Sequence, residues 1–336
     1  YPYYKDTMYP VMQVDEDKLV LRPMSCPHHF MLYSARPRSY RELPMKIAEV
    51  AKLYRYEKSG ELSGLTRVRS FCLADAHIIT KKSDAEAEIK KVIELIDYTV
   101  GVLGLKKGEH YTYRLSLGDP KNKKKYHDDP KGWREGETAL RNVLKEMRAP
   151  FYEAEDEAAF YGPKIDIQMK NVLGKEDTAF TVQYDFCLPS RFKLRYISDK
   201  GKEEQPIVIH RSSIGALERT IAFLIEHHAG ALPLWLSPVQ AAILPVSEKF
   251  EAYAKKLLEA MREQSVRVEL SDPNETLGKR IREAEMRKIP YILVVGEKEQ
   301  NNSTANVRHY RRGQEGEILF EKLTEKIKKE IGEKAI

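Results

Sequence analysis

The chain has 336 residues, 42% of them hydrophobic and 32% charged, with a formal net charge of +6. This length is too great for one compact core and implies two domains, the composition fits a soluble globular protein, and no apolar run approaches the length of a membrane span. The positive balance permits a polyanionic partner, and three scattered cysteines (Cys26, Cys72 and Cys187) argue against a disulfide framework and for a reducing, cytoplasmic setting. No signal segment opens the chain, and since Tyr1 is not a natural start an upstream piece is expected.

In chain order, the pattern predicts a strand at Lys18–Arg22 and a helix with a loop over Pro27–Tyr40. Ala48–Glu57 leads into a strand, Glu57–Leu65 is a loop by its Ser-Gly pairs, and Val68–Ile79 returns, making a long antiparallel hairpin. Ile89, Val92, Ile93, Ile96 and Val100 recur at three- and four-residue steps and predict a helix over Asp84–Val102. Tyr111–Leu117 alternates like a strand, and Thr138–Met147 reads as a helix. Strands follow at Lys164–Lys170, Thr178–Leu188 and Pro206–His210. Ile214–His227 is an amphipathic helix whose stripe, Ile214, Leu217, Ile221, Leu224 and Ile225, reads as core packing.

Pro233 and Pro238 bracket a boundary, giving domains of residues 1–235 and 236–336. Beyond it strands (Gln240–Val246, Val266–Leu270, Tyr291–Val295, Asn306–Tyr310, Glu317–Phe320) alternate with helices (a stripe from Phe250 to Met261, Thr276–Lys288, and a charged closing helix). Such alternation predicts a small α/β domain of mostly parallel strands, after an N-terminal α+β domain built on an antiparallel sheet flanked by helices.

Two arginine sites carry the chemistry. Tyr54-Arg55-Tyr56-Glu57 is followed by Leu65-Thr66-Arg67-Val68-Arg69-Ser70-Phe71, and far downstream Gly215-Ala216-Leu217-Glu218-Arg219 opens a helix. Guanidinium groups hold phosphate and carboxylate oxygens by paired hydrogen bonds, which suits nucleotide chemistry. Together these stretches resemble motifs 2 and 3 of the class II aminoacyl-tRNA synthetases. The resemblance implies that Arg55 binds the α-phosphate and the amino-acid carboxylate, and that Arg55 and Arg219 are catalytic. It further implies that Glu57 takes the adenine amino group, Arg67 the γ-phosphate, Phe71 stacks on adenine, Arg219 clamps the far phosphates, and Mg²⁺ accompanies ATP.

Three further stretches, Met24-Ser25-Cys26-Pro27-His28-His29, Asp75-Ala76-His77-Ile78 and His210-Arg211-Ser212-Ser213, resemble the threonyl-tRNA synthetases. That resemblance runs through essentially the whole chain. It implies one zinc ion held by Cys26, His77 and His210, with an open position for the amino group and hydroxyl of threonine. It also places Asp75, Tyr161 and Lys164 against the substrate and Gln183 at the nucleotide. Asp272-Pro273-Asn274-Glu275 through Arg282, and Pro290-Tyr291 through Gly296, resemble the anticodon-binding domain of that family, so that Asn274, Glu299 and Arg308 fall where anticodon bases are read. The implied activity is threonine–tRNA ligase: threonine, ATP and tRNA(Thr) as substrates, a cytoplasmic location, no membrane, and a homodimer when motif 1 is present.

The chain also departs from the family. Nothing before Tyr4-Lys5-Asp6 resembles motif 1, Leu73 and Ala74 replace a Gln-Asp pair, Asp177 and Thr178 replace Trp-Gln, and His28 replaces a glycine. Two other readings therefore stand beside the first: another class II synthetase such as the prolyl enzyme, and a non-catalytic synthetase-like protein that binds tRNA or regulates.

Overall fold

The computed structural model describes residues 4–336, which divide between Phe223 and Leu224 into two compact units. In the first, a short hairpin of β1 (Met12–Val14) and β2 (Asp17–Leu19) precedes helix α1 (Cys26–Ser34). Strands β3 (Met45–Tyr54) and β4 (Ser70–Thr80) form the expected long hairpin, in register from Met45 opposite Ile79 to Tyr54 opposite Ser70. Next come α2 (Ala85–Val102), β5 (Tyr111–Ser116), α3 (Pro130–Glu146), β6 (Phe151–Ala154), β7 (Lys164–Lys170) and β8 (Glu176–Asp185). The short α4 (Leu188–Arg191), the small hairpin β9 (Tyr196–Ile197) and β10 (Glu203–Glu204), and β11 (Ile207–Ala216) complete the unit. The main sheet runs β3-β4-β11-β8-β7-β5-β6, antiparallel at every pair except β5 with β6. Helix α2 lays its predicted stripe on β11 and β8, and Ile89, Ile93, Ile96 and Val100 are wholly buried there.

Three expectations are corrected here. Helix α3 starts at Pro130, not Thr138, with Asp129 accepting a hydrogen bond from the Gly132 amide at 3.0 Å. Gly132 is needed for packing: a β-carbon there would lie 2.4 Å from the Phe186 ring. Strand β11 extends past His210 to Ala216, and helix α5 (Leu217–His227) begins only after it. Gly215 makes that junction, with φ of +74° and with the Ala179 carbonyl oxygen 2.4 Å from where a β-carbon would stand. The stripe on α5 is not uniformly core: Leu224 is buried, whereas Ile221 is 49% and Ile225 43% exposed. Helical spacing records which residues share a face, not whether anything covers it.

The second unit holds β12 (Ala241–Pro245), α6 (Glu251–Glu263), β13 (Val268–Leu270), α7 (Leu277–Met286) and β14 (Tyr291–Val295), then α8 (Glu297–Asn302), β15 (Thr304–His309), β16 (Gly313–Leu319) and α9 (Phe320–Gly332). Its strand order is β13-β12-β14-β15-β16. The first three strands are parallel and the last two antiparallel, so the sheet is mixed where mostly parallel strands were expected. The connections fit this: long helical crossovers join the parallel strands, whereas β14 returns as β15 through the short α8 and β15 as β16 through a tight turn. Helices α6 and α9 cover one face with Leu257, Met261, Leu323 and Ile327, and α7 covers the other with Ala284. Among the described residues no helix is long and apolar enough to cross a membrane.

Gly215→Ala is expected to destabilise the first unit by about 2 kcal/mol or more, combining left-handed backbone strain with the carbonyl clash. A urea midpoint equal to that of the parent chain would contradict this account.

Candidate active site

The site begins with strand register. His210 on β11 stands opposite His77 on β4 and opposite Gln183 on β8, and Gln183 in turn faces Lys164 on β7. Directly opposed residues point to one face of a sheet, as do residues two apart along a strand. Phe71, Leu73, Asp75 and His77 on β4 therefore share that face, and all four line one cleft. Cys26, the first residue of α1, is brought over the same face.

The cysteine and the two histidines converge. Their ligand atoms lie within 4.8 Å of one another, and all three side chains are buried. Each imidazole has one nitrogen engaged elsewhere: His210 Nε2 is 2.8 Å from Asp185 Oδ2, and His77 Nδ1 is 2.7 Å from His29 Nδ1. That leaves one nitrogen per ring for the shared centre. Burial holds His77 well below the usual imidazole range, helped by His210 and His29, so the ring stays neutral. Burial also pushes the Cys26 thiol far up, with Asp75 and Asp185 adding to the effect, so only a cation beside it would make the thiolate favourable. One sulfur and two imidazoles, buried and backed by a carboxylate, suit Zn²⁺ with a fourth position open.

The arginines line the same cleft. Arg55 lies with its guanidinium carbon 5.2 Å from the centre of the Phe71 ring. Arg67 is paired with Glu57, donating from Nε at 3.0 Å and approaching from Nη2 at 2.9 Å. Arg219 donates to the carbonyls of Thr66 at 3.0 Å and Thr178 at 3.1 Å, tying α5 to the loop of the β3–β4 hairpin and to β8. Burial lowers the Arg219 pKa from the ordinary arginine value, with the neighbouring Arg55 adding to it, which makes a nearby anion favourable. Tyr161 and Gln183 also line the cleft and are hydrogen-bonded to each other.

Lys164 is not brought to the cleft lining; its ammonium is 2.8 Å from the wholly buried Asp166. Asn274, Glu299 and Arg308 lie in the second unit on three different elements: the loop before α7, helix α8 and strand β15. Glu299 accepts from the Gly296 amide at 2.9 Å and so caps its own helix, and Arg308 is paired with Glu285 at 2.7 Å.

Several residues at the site carried no predicted role. Buried Ser25 donates to the Asp75 carboxylate and aims it. Glu218 accepts from the Cys72 amide at 2.9 and 3.1 Å, joining α5 to β4. Arg211 adds a half-buried cation at the cleft wall. Asp185 accepts from the Cys187 and Leu188 amides as well as facing His210. Ser25, Glu218 and Arg211 stood inside the motifs around Cys26, Arg219 and His210 without a role of their own.

Residues 9–228 match the family model for the tRNA synthetase class II core domain (G, H, P, S and T), and residues 240–330 match that for the anticodon binding domain. Among solved structures, the chain superposes with a TM-score of 0.89 and 34% identity on the RNA binding domain of threonyl-tRNA synthetase from Cryptosporidium parvum Iowa II, covering 97% of this chain and 80% of that one. The chain belongs to the threonyl-tRNA synthetase family. A putative threonyl-tRNA synthetase, ThrRS-1, from Aeropyrum pernix superposes with a TM-score of 0.83 at 27% identity, over 99% of this chain and 79% of that one. Threonine–tRNA ligase of Bacillus velezensis is 49% identical over 309 residues, 92% of this chain and 48% of its own length. That of Clostridium botulinum (strain Eklund 17B / Type B) is 46% identical over 334 residues, 99% of this chain and 52% of its own length. This family member thus spans about half the length of the curated relatives it matches.

Replacing Asp185 with alanine would strand two buried amides and unfasten His210. The expected loss is about 3 kcal/mol of stability, read as a lowered unfolding midpoint.

Proposed function

We propose that the chain is the catalytic and anticodon-binding portion of a threonine–tRNA ligase. The observation that carries this reading is the buried cluster of Cys26, His77 and His210 opening onto a cleft walled by arginines. In the first half-reaction the threonine carboxylate attacks the α-phosphorus of ATP and pyrophosphate leaves. Negative charge grows on the α-phosphate oxygens, where Arg55 stabilises it more than in the ground state. Arg67 and Arg219 hold the distal phosphates, which draws Arg67 away from Glu57 and frees that carboxylate for the adenine amino group. Mg²⁺ enters with the nucleotide. Phe71 offers a face for the base, and Gln183 and Tyr161 form a hydrogen-bonding wall beside it. In the second half-reaction a terminal ribose hydroxyl of tRNA(Thr) attacks the adenylate carbonyl and AMP leaves.

Cys26, His77 and His210 would hold the zinc ion, which supplies an open coordination position for the amino group and hydroxyl of threonine. Asp75, aimed by Ser25, accepts a hydrogen bond from the same amino group. A site that binds the hydroxyl rejects valine, which lacks it, more strongly than an apolar pocket could. Serine, which keeps the hydroxyl, is excluded far less well. Asn274, Glu299 and Arg308 read the anticodon, and Arg308 exchanges Glu285 for a base edge when it does so. Homodimerisation and a cytoplasmic location belong to the same proposal and rest on family membership.

Cys26→Ser should lower threonine-dependent ATP–pyrophosphate exchange by about 100-fold or more while ATP binding persists. Normal exchange in that variant would remove the metal from the account. Arg308→Ala should weaken aminoacylation about tenfold or more and leave exchange intact. An equal loss in both assays would reject a separate anticodon role.

A further inference from the structure

We infer that His29 is a positioning residue for the metal: backed by Glu49, it decides which nitrogen of His77 faces Cys26 and His210. The inference rests on the metal reading above. His29 lies one helical turn after Cys26 on α1, so the two share a face of that helix. It is buried to 3% exposure, and its Nδ1 is 2.7 Å from His77 Nδ1. Two ring nitrogens at this separation form a hydrogen bond only with one proton between them, so one ring donates and the other accepts. Glu49 settles the direction. Its Oε1 lies 3.4 Å from His29 Nε2, and Arg22 holds the carboxylate in place with contacts at 3.1 and 3.3 Å. A carboxylate there favours the proton on His29 Nε2 and leaves His29 Nδ1 with its lone pair. His77 then donates from Nδ1, and its Nε2 lone pair is the one directed at the shared centre.

His29 does not fit as a fourth ligand through the same nitrogen. Two nitrogens bound to one tetrahedral Zn²⁺ stand about 3.3 Å apart, given bonds of about 2.0–2.1 Å, and these two are closer than that. The two metal-facing histidines are thus oriented in different ways. His210 is held directly by the Asp185 carboxylate, whereas His77 reaches Glu49 through an interposed imidazole. Outer partners of this kind fix the tautomer and raise the basicity of the ligand.

The test is the Zn²⁺ affinity of the purified full chain, measured by competition with a chromogenic chelator and without any assay of catalysis. His29→Leu should bind Zn²⁺ about 10- to 100-fold more weakly than the parent. His29→Asn, whose amide oxygen can accept the His77 N–H, should stay within about threefold of the parent, and Glu49→Ala should lose about three- to tenfold. Parent-like affinity in His29→Leu overturns the inference, as does His29→Asn binding as weakly as His29→Leu, which would mark His29 as a space-filler. If His29→Leu lacks a cooperative melting transition, Glu49→Ala decides alone, and unchanged affinity there overturns the inference. Cys26→Ser is measured alongside. Loss of Zn²⁺ by Cys26→Ser but not by His29→Leu sinks this inference only, whereas a parent chain with no affinity for Zn²⁺ sinks the metal reading and this inference with it.

Discussion

The site depends on the insertion of β11 between β4 and β8 with His210 opposite both His77 and Gln183. Side chains alternate faces along a strand, so a slip of one residue at either ladder would send His210 to the opposite face and empty the centre. The register is held by what lies behind it: Ile78 and Ile209, opposite each other and one residue along from the histidines, are buried, and α2 seals the helix side of the sheet with wholly buried isoleucines. Hydrophobic packing on one face thus sets the position of polar groups on the other.

The two ends of the cleft differ in burial. Around Cys26 and His77 burial favours neutral groups, which makes a donor set ready for a cation. Along the arginine wall, where Arg67 and Arg219 are exposed and Arg55 is half-buried, the groups cannot give up their charge and are met by carbonyls, a ring face and a carboxylate. These interim partners are weaker than phosphate oxygens, and guanidinium groups already in place need little reorganisation when charge develops. A ligand that joined a metal-binding group to a phosphate chain would satisfy both ends together.

Some departures from the family sit at this cleft. Leu73 and Thr178 both line it, and Thr178 accepts a hydrogen bond from Gln168 through its hydroxyl and from Arg219 through its carbonyl. The replacement at Thr178 therefore retains a polar wall, whereas Leu73 makes its stretch of the wall apolar.

Much of this was legible in the residue order. Alternation located β5 and three- and four-residue steps located α2, because one buried face imposes a repeat on its own segment, and turn chemistry marked the loop of the β3–β4 hairpin. The motifs around Arg55, Arg219 and Cys26 announced the family, because phosphate and metal chemistry tolerate few side-chain types. Other features needed the folded chain. The packing of Gly132 against Phe186 depends on strands brought beside α3, the exposure of Ile221 and Ile225 depends on what covers α5, and the mixed sheet of the second unit depends on how its strands are joined. The coupling of His29 to His77 links residues distant in sequence, through a contact that no local pattern encodes. The sequence by itself determined which chemical groups exist and which segments have a buried face, since both are local properties. The tertiary structure alone decided which of those groups meet, since strand order and register are settled by packing across the whole sheet.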